Sequence, residues 1–246
     1  MTERLGADGP VLVTGAASGI GAAVTELLVE RGVEVIAADL TAVDRRATER
    51  RVAADLTTPA GREAALAGVE CLAGIVHCAG VIRLVDPAEL SEEQWDLVLD
   101  TNLKATFFLL QAALPLLVDG SAAVLMSSVA AKSSSTPEAA AYGASKAGML
   151  ALTRAFAHYL APRGVRINAI CPGIIDTPMQ SRLLADVSAN RGIALDRLEE
   201  ERHATVALGR AAAPREVAEV AAFLLSERAS YMTGQSVNVS GGMITY

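Results

Sequence analysis

Short runs of Val, Ile, Leu and Ala recur along this 246-residue chain, separated by longer stretches with helical apolar spacing, and that alternation limits the folds open to it. The runs occupy residues 10–14, 33–38, 52–54, 72–77, 122–127, 165–170 and 236–239. Helical spacing covers 20–31, 59–66, 91–117, 139–161, 178–203 and 214–226. Strands separated by helices have crossovers long enough to run parallel, and a run apolar at nearly every position is expected of a strand covered on both faces. Right-handed crossovers wind such strands into one sheet with helices on both faces. The expectation is an α/β fold with a doubly wound, seven-stranded parallel sheet. No linker or internal repeat divides the chain, so residues 1–246 are read as one domain. The stretch 178–203 is long, mixed in charge and interrupted at Asn190, Arg191 and Gly192. It follows a strand's carboxyl end, where open sheets bind ligands, and is read as a lid.

Hydrophobic residues make up 52% of the chain and aromatics only 4%, which predicts an aliphatic core. A formal net charge of -7 and the lack of a basic face argue against nucleic acid. No basic amphipathic stretch marks a membrane surface, and the apolar segment 105–118, holding Gln111 and Pro115, is too short to span a bilayer. Residues 1–8 lack the apolar centre of a signal peptide, so a cytoplasmic setting is expected. Cys71, Cys78 and Cys171 have no metal-site spacing and are read as structural, with Cys78 held open because of its position; no metal is expected.

The first strand runs into TGAASGIG at 14–21, followed at once by a helix. Glycines there let the backbone turn sharply and approach a pyrophosphate, which the positive end of the helix holds. The spacing G-x-x-x-G-x-G differs from the general G-x-G-x-x-G fingerprint, but the strand-turn-helix context fits, and Gly15, Ser18, Gly19, Ile20 and Gly21 are the expected contacts. Asp39 and Leu40 end the second strand, where a carboxylate accepts both ribose hydroxyls of NAD and repels a 2'-phosphate. No Arg or Lys in the glycine loop or at position 40 receives such a phosphate, so NAD is expected over NADP. Asp55, with Leu56, occupies a similar place after the third strand and is read as an acceptor for the adenine amino group.

Tyr142 and Lys146 lie four apart on a stretch of very small residues, AAYGASKAG, and so share one face of a helix able to approach another backbone closely. Taken alone, that pair is an ordinary helix with a snorkelling lysine. Together TGAASGIG, YGASK at 142–146 and RINAICPGIIDT at 166–177 resemble the short-chain dehydrogenase/reductase family, and the resemblance covers nearly the whole chain. It implies a single Rossmann-type domain and an NAD-dependent oxidoreductase. Tyr142 is then the group that exchanges a proton with the substrate oxygen. Lys146 stabilises the phenolate and binds the nicotinamide ribose, Ser128 holds the reacting oxygen, and Asn102 in DTNLK completes the set. The Ser128–Tyr142 interval is about one residue longer than the usual family interval, which keeps Ser127 open. The resemblance also places Pro172, Gly173, Ile175 and Thr177 at the nicotinamide, and the backbone of Cys78, Ala79 and Gly80 at the adenosine ribose. Asn168 is read as supporting the turn after 172.

Two departures stand out. HCAG at 77–80 replaces the family's Asn-Asn-Ala-Gly, with loss of a strand-bracing asparagine, and VSGG at 239–242 replaces Val-Asp-Gly-Gly. His77 is read as structural rather than as a base, since no acid partner is visible. The substrate is expected to meet Ser128, Lys132, Tyr142, Met179 and Gln180, with Arg83 and the lid nearby. The run SYMTGQSVNVSGGM at 230–243 resembles the ends of bacterial polyol and vicinal-diol dehydrogenases, such as sorbitol-phosphate and 2,3-butanediol enzymes. The expected reaction is therefore oxidation of a small polyol or diol to its ketone. Reduction of 3-oxoacyl thioesters is a second enzyme reading and a non-catalytic dinucleotide sensor a third. Arg182, Arg191, Arg197 and Arg202 could meet a phosphorylated substrate, although the adjacent Glu199, Glu200 and Glu201 favour a solvated helix. A homotetramer, paired through 91–117 and 139–161 and through the last strand, is implied by the resemblance.

Overall fold

A computed structural model describes residues 5–41, 43 and 50–246; residues 1–4, part of the stretch read as lacking a signal, lie outside the described residues. Seven strands form one sheet in the order β3-β2-β1-β4-β5-β6-β7. They are β1 (Val11–Thr14), β2 (Val35–Asp39), β3 (Arg50–Ala53), β4 (Leu72–His77), β5 (Leu117–Met126), β6 (Arg166–Pro172) and β7 (Ser236–Val239). Every neighbouring pair is parallel, as the buried apolar runs require.

Helices α1 (Gly19–Glu30) and α8 (Pro214–Leu225) cover one face, where Val24, Leu27, Leu28, Ala218 and Leu225 pack with Val13 and Val76. The other face is covered by α2 (Pro59–Leu66), α4 (Ala105–Ala113) and α5 (Ala140–Leu160), where Ala65, Leu109, Met149 and Leu160 pack with Leu12, Ile75 and Leu125. Arg166 at the start of β6 sends its guanidinium to the carbonyls of Leu224, Leu225 and Ser226 at 2.8–3.1 Å, which satisfies the end of α8.

Three elements differ from the sequence expectation. The single helix expected over 91–117 is α3 (Glu92–Leu99), a π-turn over Asp100–Lys104, α4, and a 3-10 turn over Leu114–Leu116 that contains Pro115. This helical run, Glu92–Leu116, is by length and composition able to cross a membrane, beyond what its apolar part at 105–118 implied. In the fold Val98, Asn102, Ala105, Leu109 and Ala113 are buried, so it serves as a layer helix. The lid stretch is two helices, α6 (Pro178–Arg191) and α7 (Leu195–His203), because Gly192 takes the left-handed conformation with φ 65 and ends the first. Strand β5 begins five residues earlier than expected: Leu117 pairs with Leu72, the register shifts, and Ala122 then pairs with Gly74.

Gly74 lies at that shift, where an added Cβ would stand 2.6 Å from the Ala122 carbonyl oxygen and 2.8 Å from Leu225 Cδ2. Gly74→Ala is therefore expected to destabilise the fold by about 1–3 kcal/mol, read as a lower urea midpoint at unchanged m-value.

Candidate functional site

The chain leaves β1 for β2 and β3 on one side and reaches β4 on the other, so the winding reverses between β1 and β4 and their carboxyl ends open a crevice. Its walls are nearly bare backbone. Gly15 has φ 66, and a Cβ there would stand 2.7 Å from the Ala79 nitrogen; one on Gly21 would strike the Gly15 carbonyl. The Cys78 and Ala79 amides donate to Thr14, at 3.2 Å to its carbonyl and 3.3 Å to its hydroxyl. Ser18 precedes α1 with no side-chain cap, which leaves first-turn amides available to an anion. A Cβ on Gly80 would stand 3.1 Å from Asn102 Oδ1 and 3.3 Å from Lys146 Nζ. These features fit a dinucleotide: the crevice is cleared of side chains and ends on unpaired amides.

Asp39 braces this loop. Its Oδ2 accepts the Ala17 amide at 3.0 Å, and its Oδ1 accepts the Thr41 amide and hydroxyl at 2.9 and 3.0 Å. Oδ1 is filled by these two donors, and Oδ2 keeps a lone pair for a ligand hydroxyl. Leu40 is largely exposed, whereas the Leu56 side chain is in the core, so only the backbone of Leu56 can face a ligand. Asp55 accepts the amide and hydroxyl of Thr57, which shapes the turn into α2.

Around Tyr142 the polar groups interlock. Asn102 sits fully buried in the π-turn; its Oδ1 accepts the Val81 amide at 2.8 Å, and its Nδ2 donates to the Val81 carbonyl at 2.9 Å and to Ser145 Oγ at 3.0 Å. Ser145 donates to the Tyr142 carbonyl at 2.7 Å. Lys146 is 4% exposed and donates to the Met126 carbonyl at 2.8 Å; its ammonium lies 5.6 Å from the Tyr142 ring centre. Burial lowers the Lys146 pKa to about 8. Burial raises that of Tyr142, against a hydrogen bond from Ser128 that lowers it. Ser128 is thus the serine at the tyrosine, while Ser127 is buried and donates to the Lys146 carbonyl at 2.9 Å. Small residues in α5 admit these contacts: a Cβ on Gly143 would stand 2.8 Å from Ser134 Oγ, and one on Gly148 would stand 2.7 Å from Leu103 Cδ2.

After β6, the Ile174 carbonyl and the Asp176 amide bond Ala212, each at 2.9 Å, and the Ile175 amide and carbonyl have no partner among the described residues. Gly173 answers a different demand, since a Cβ there would stand 2.9 Å from Ser240 Cα. Thr177 caps α6, and its methyl lies 3.2 Å from a Cβ placed on Gly19, so α6 starts against the glycine loop. The far end of α6 is tied to the approach to α5 by Arg191–Glu138 at 2.8 Å, and Arg197 pairs with Glu201. Met179 is exposed, and Gln180 Nε2 is buried with no partner among the described residues. The Lys132 ammonium is engaged by the Ser236 carbonyl, Asn238 Oδ1 and the Tyr246 main-chain oxygen at 3.1, 2.8 and 3.3 Å. Arg83 is exposed and turns back to the Ile82 carbonyl. Asn168 supports the 232–235 loop, bonding the Met232 carbonyl and the Gln235 amide at 2.8 and 3.0 Å, rather than the turn after 172. A cavity of about 380 Å³ lies away from all of this, at the opposite end of the sheet beside Gly120, Arg166 and Thr233.

The bracing expected to vanish with the family asparagine is present in another form. His77 is buried and its Nδ1 lies 2.8 Å from the Thr14 hydroxyl, joining β4 to β1. The hydroxyl also accepts the Ala79 amide, and in either ring tautomer the buried Nε2 has no partner among the described residues. Burial, with the nearby Lys146 charge, lowers the His77 pKa to about 3. Burial likewise pushes the Cys78 thiol up to about 12, which makes it a poor nucleophile. The sequence reading missed Thr14 and Ser145, and gave Ser127 only as an alternative to Ser128. Their signal is a hydroxyl in an otherwise apolar, buried run.

The fold and crevice define a nucleotide-binding α/β protein whose polar cluster stands at the sheet's switch point. A family model described as enoyl-(acyl carrier protein) reductase matches residues 15–244. The 3-oxoacyl-[acyl-carrier-protein] reductase of Thermotoga maritima is 33% identical over 250 residues, covering 95% of this chain and 96% of that one. The (3R)-3-hydroxyacyl-CoA dehydrogenase of Rattus norvegicus is 34% identical over 257 residues, covering 94% and 95%. A solved actinorhodin polyketide ketoreductase with NADPH superposes with a TM-score of 0.88 at 28% identity, covering 99% of this chain and all of that one. The chain belongs to the short-chain dehydrogenase/reductase family, oxidoreductases that act on alcohols and ketones with a nicotinamide dinucleotide.

The His77 environment predicts an acid-sensitive fold. Its folded pKa lies below the ordinary histidine value of 6.5, so the unfolded chain takes up the proton first as pH falls. The stabilisation is complete above that value and declines towards about 3, by up to about 1.4 kcal/mol per pH unit. Denaturant melts of wild type and His77→Asn across this range should show the slope in the former and a shallower one in the latter.

Proposed function

We propose that this protein interconverts a secondary alcohol and its ketone with NAD, Tyr142 exchanging the proton of the reacting oxygen. The observation that carries the reading is the convergence of Tyr142, Ser128, Lys146 and Asn102 beside a crevice cleared to bare glycine backbone. Gly15, Ser18, Gly19, Ile20 and Gly21 would hold the pyrophosphate. Asp39, with the backbone of Leu40, Asp55, Leu56, Cys78, Ala79 and Gly80, would hold the adenosine. Pro172, Ile175 and Thr177 would line the nicotinamide side, where the unpaired Ile175 amide and carbonyl match a carboxamide's acceptor and donors. When bound, the dinucleotide supplies the hydride acceptor and, oxidised, a positive ring.

In oxidation Tyr142 takes the hydroxyl proton as a phenolate. Ser128 donates to the reacting oxygen and holds it in place. Lys146 favours the phenolate by its charge, although burial weakens that hold by lowering its own pKa to about 8. Asn102 keeps the π-turn and the Val81 strand-end loop in register with α5 through Ser145. Because burial raises the Tyr142 pKa, oxidation should speed up as pH rises and reduction should be favoured at lower pH.

The polyol reading rested on 230–243, and that segment builds β7 and its contacts with Lys132 and Asn168, so it carries no pocket chemistry. The two relatives act, by their names, on 3-oxoacyl and 3-hydroxyacyl groups. We therefore place a 3-hydroxyacyl thioester first as substrate, with a polyol or vicinal diol as the second reading. One unpaired buried donor, Gln180 Nε2, suits a substrate with a single acceptor beside the reacting carbon better than a polyhydroxylated one. The same proposal includes a homotetramer and a cytoplasmic setting. Trp95, Leu97, Phe107, Phe108 and Tyr159 form an exposed apolar face on α3, α4 and α5, suited to a second copy. Native mass spectrometry showing only monomer would remove the oligomer.

Purified protein with NAD or NADP should reduce the nicotinamide in the presence of 3-hydroxyacyl thioesters, and polyols and diols run alongside decide between the two classes. Tyr142→Phe should lose turnover by about 10²–10⁴-fold while still binding NAD. Unchanged turnover would sink the mechanism. Asp39→Ala should narrow the preference for NAD over NADP by about tenfold or more, as the repulsion of a 2'-phosphate is removed.

A further inference from the structure

The loop that carries Ser128 is tied at its start to β6 and α5, the Ser127 amide donating to the Ile170 carbonyl at 2.8 Å. Ser127 Oγ donates to the Lys146 carbonyl, and the Ala130 amide donates to Ser128 Oγ at 3.1 Å. Beyond the single 3-10 turn over Val129–Ala131, the other end is Lys132. That half-buried side chain crosses to the far sheet edge, where its three ammonium protons meet three acceptors: Asn238 Oδ1 at 2.8 Å, the Ser236 carbonyl at 3.1 Å and the Tyr246 main-chain oxygen at 3.3 Å. Asn238 Nδ2 completes the clasp by donating to the Tyr246 main-chain oxygen at 3.0 Å. A flexible cation in this position has its donors fully used by backbone and amide oxygens, which suits it to fix a distance and not to meet a substrate.

We propose that Lys132 is a positioning residue, clamping the Ser128 turn to β7 and the 244–246 segment so that the Ser128 hydroxyl stays directed at Tyr142. The proposal rests on the acid/base reading of Tyr142 and Ser128 given above. It replaces the expectation that Lys132 contacts substrate. Tyr142 is faced by Lys146 from its own helix, by Ser128 from the turn and by Cys171 from β6; Lys146 is faced in turn by His77 and Cys78 at the end of β4. Of these groups, Ser128 is the one whose place depends on the clamp. Releasing it removes a hydrogen bond that favours the phenolate, so a higher pH is then needed to form the base.

Two readouts separate this from simple structural support. Hydrogen exchange needs no substrate. In Lys132→Met the Ala130 and Ala131 amides, which bond Ser128, should exchange about tenfold faster or more, while the amides of α5 keep their protection. In the alcohol-oxidation assay the same variant should lower kcat by about tenfold, with KM for NAD within about twofold, and move the rise of the pH profile towards that of Ser128→Ala. Lys132→Arg should recover part of both effects, and Asn238→Ala should reproduce them and add nothing in the double variant. Unchanged exchange at Ala130 and Ala131, or altered exchange with the pH profile in its wild-type place, would overturn the clamp. If wild type oxidises no alcohol, the function reading falls and the exchange result alone decides whether Lys132 holds the turn.

Discussion

Everything at the crevice depends on a buried ammonium. Lys146 is withdrawn from water, and a charge so placed is tolerated only where oxygen atoms meet it and the walls stay close. The Met126 carbonyl supplies one partner, at the end of β5, and Gly80 supplies a wall with no Cβ to intrude. Met126 ends β5, paired with Ile170 of β6, and Gly80 follows β4 by three residues, so the charge is held against the carboxyl edge of the sheet. The small residues of α5 follow from the same demand: a helix that presents Lys146 at this depth must approach the π-turn and the Ser128 loop more closely than larger side chains allow.

The sheet and its order follow from what the sequence makes visible. Seven short apolar runs separated by helical spacing leave little choice other than a wound parallel sheet, and the strands appear within a few residues of their expected bounds. What the pattern could not show are breaks that do not alter the apolar period. The π-turn at Asp100–Lys104 inserts into a continuous helical spacing, and its reason is the buried Asn102, whose amide reaches Val81 across the crevice. The early start of β5 is similarly hidden, since Asp119 and Gly120 interrupt the apolar run and only the pairing of Leu117 with Leu72 carries the strand past them. At the site, Tyr142, Lys146, Ser128 and Asn102 were legible through the resemblance. The contacts of Lys132 were hidden, because its three acceptors come from a segment more than a hundred residues away.

His77 shows how a substitution can keep a contact and change its consequences. An asparagine at this strand end would bridge with a group that has no proton to gain near neutrality. The imidazole makes the bridge to Thr14 through one nitrogen and leaves the other buried without a partner beside a cation. The strand pairing is retained, and a titratable group is now built into the floor below Lys146. Protonation of that ring would place two positive charges in one poorly solvated space, so the neutral form is the only one compatible with the fold around it.

The cofactor loop and its acid are coupled in the same economical way. Asp39 already holds the Ala17 amide and the Thr41 turn before any ligand is present, so its carboxylate is fixed in place by the loop it serves. A group fixed in this manner meets whatever enters the crevice without reorganising, because its position is set by the loop and not by a ligand. The place of this acid is thus tied to the integrity of the glycine turn. Loosening Asp39 would free the Ala17 amide, and with it the backbone path from β1 into α1.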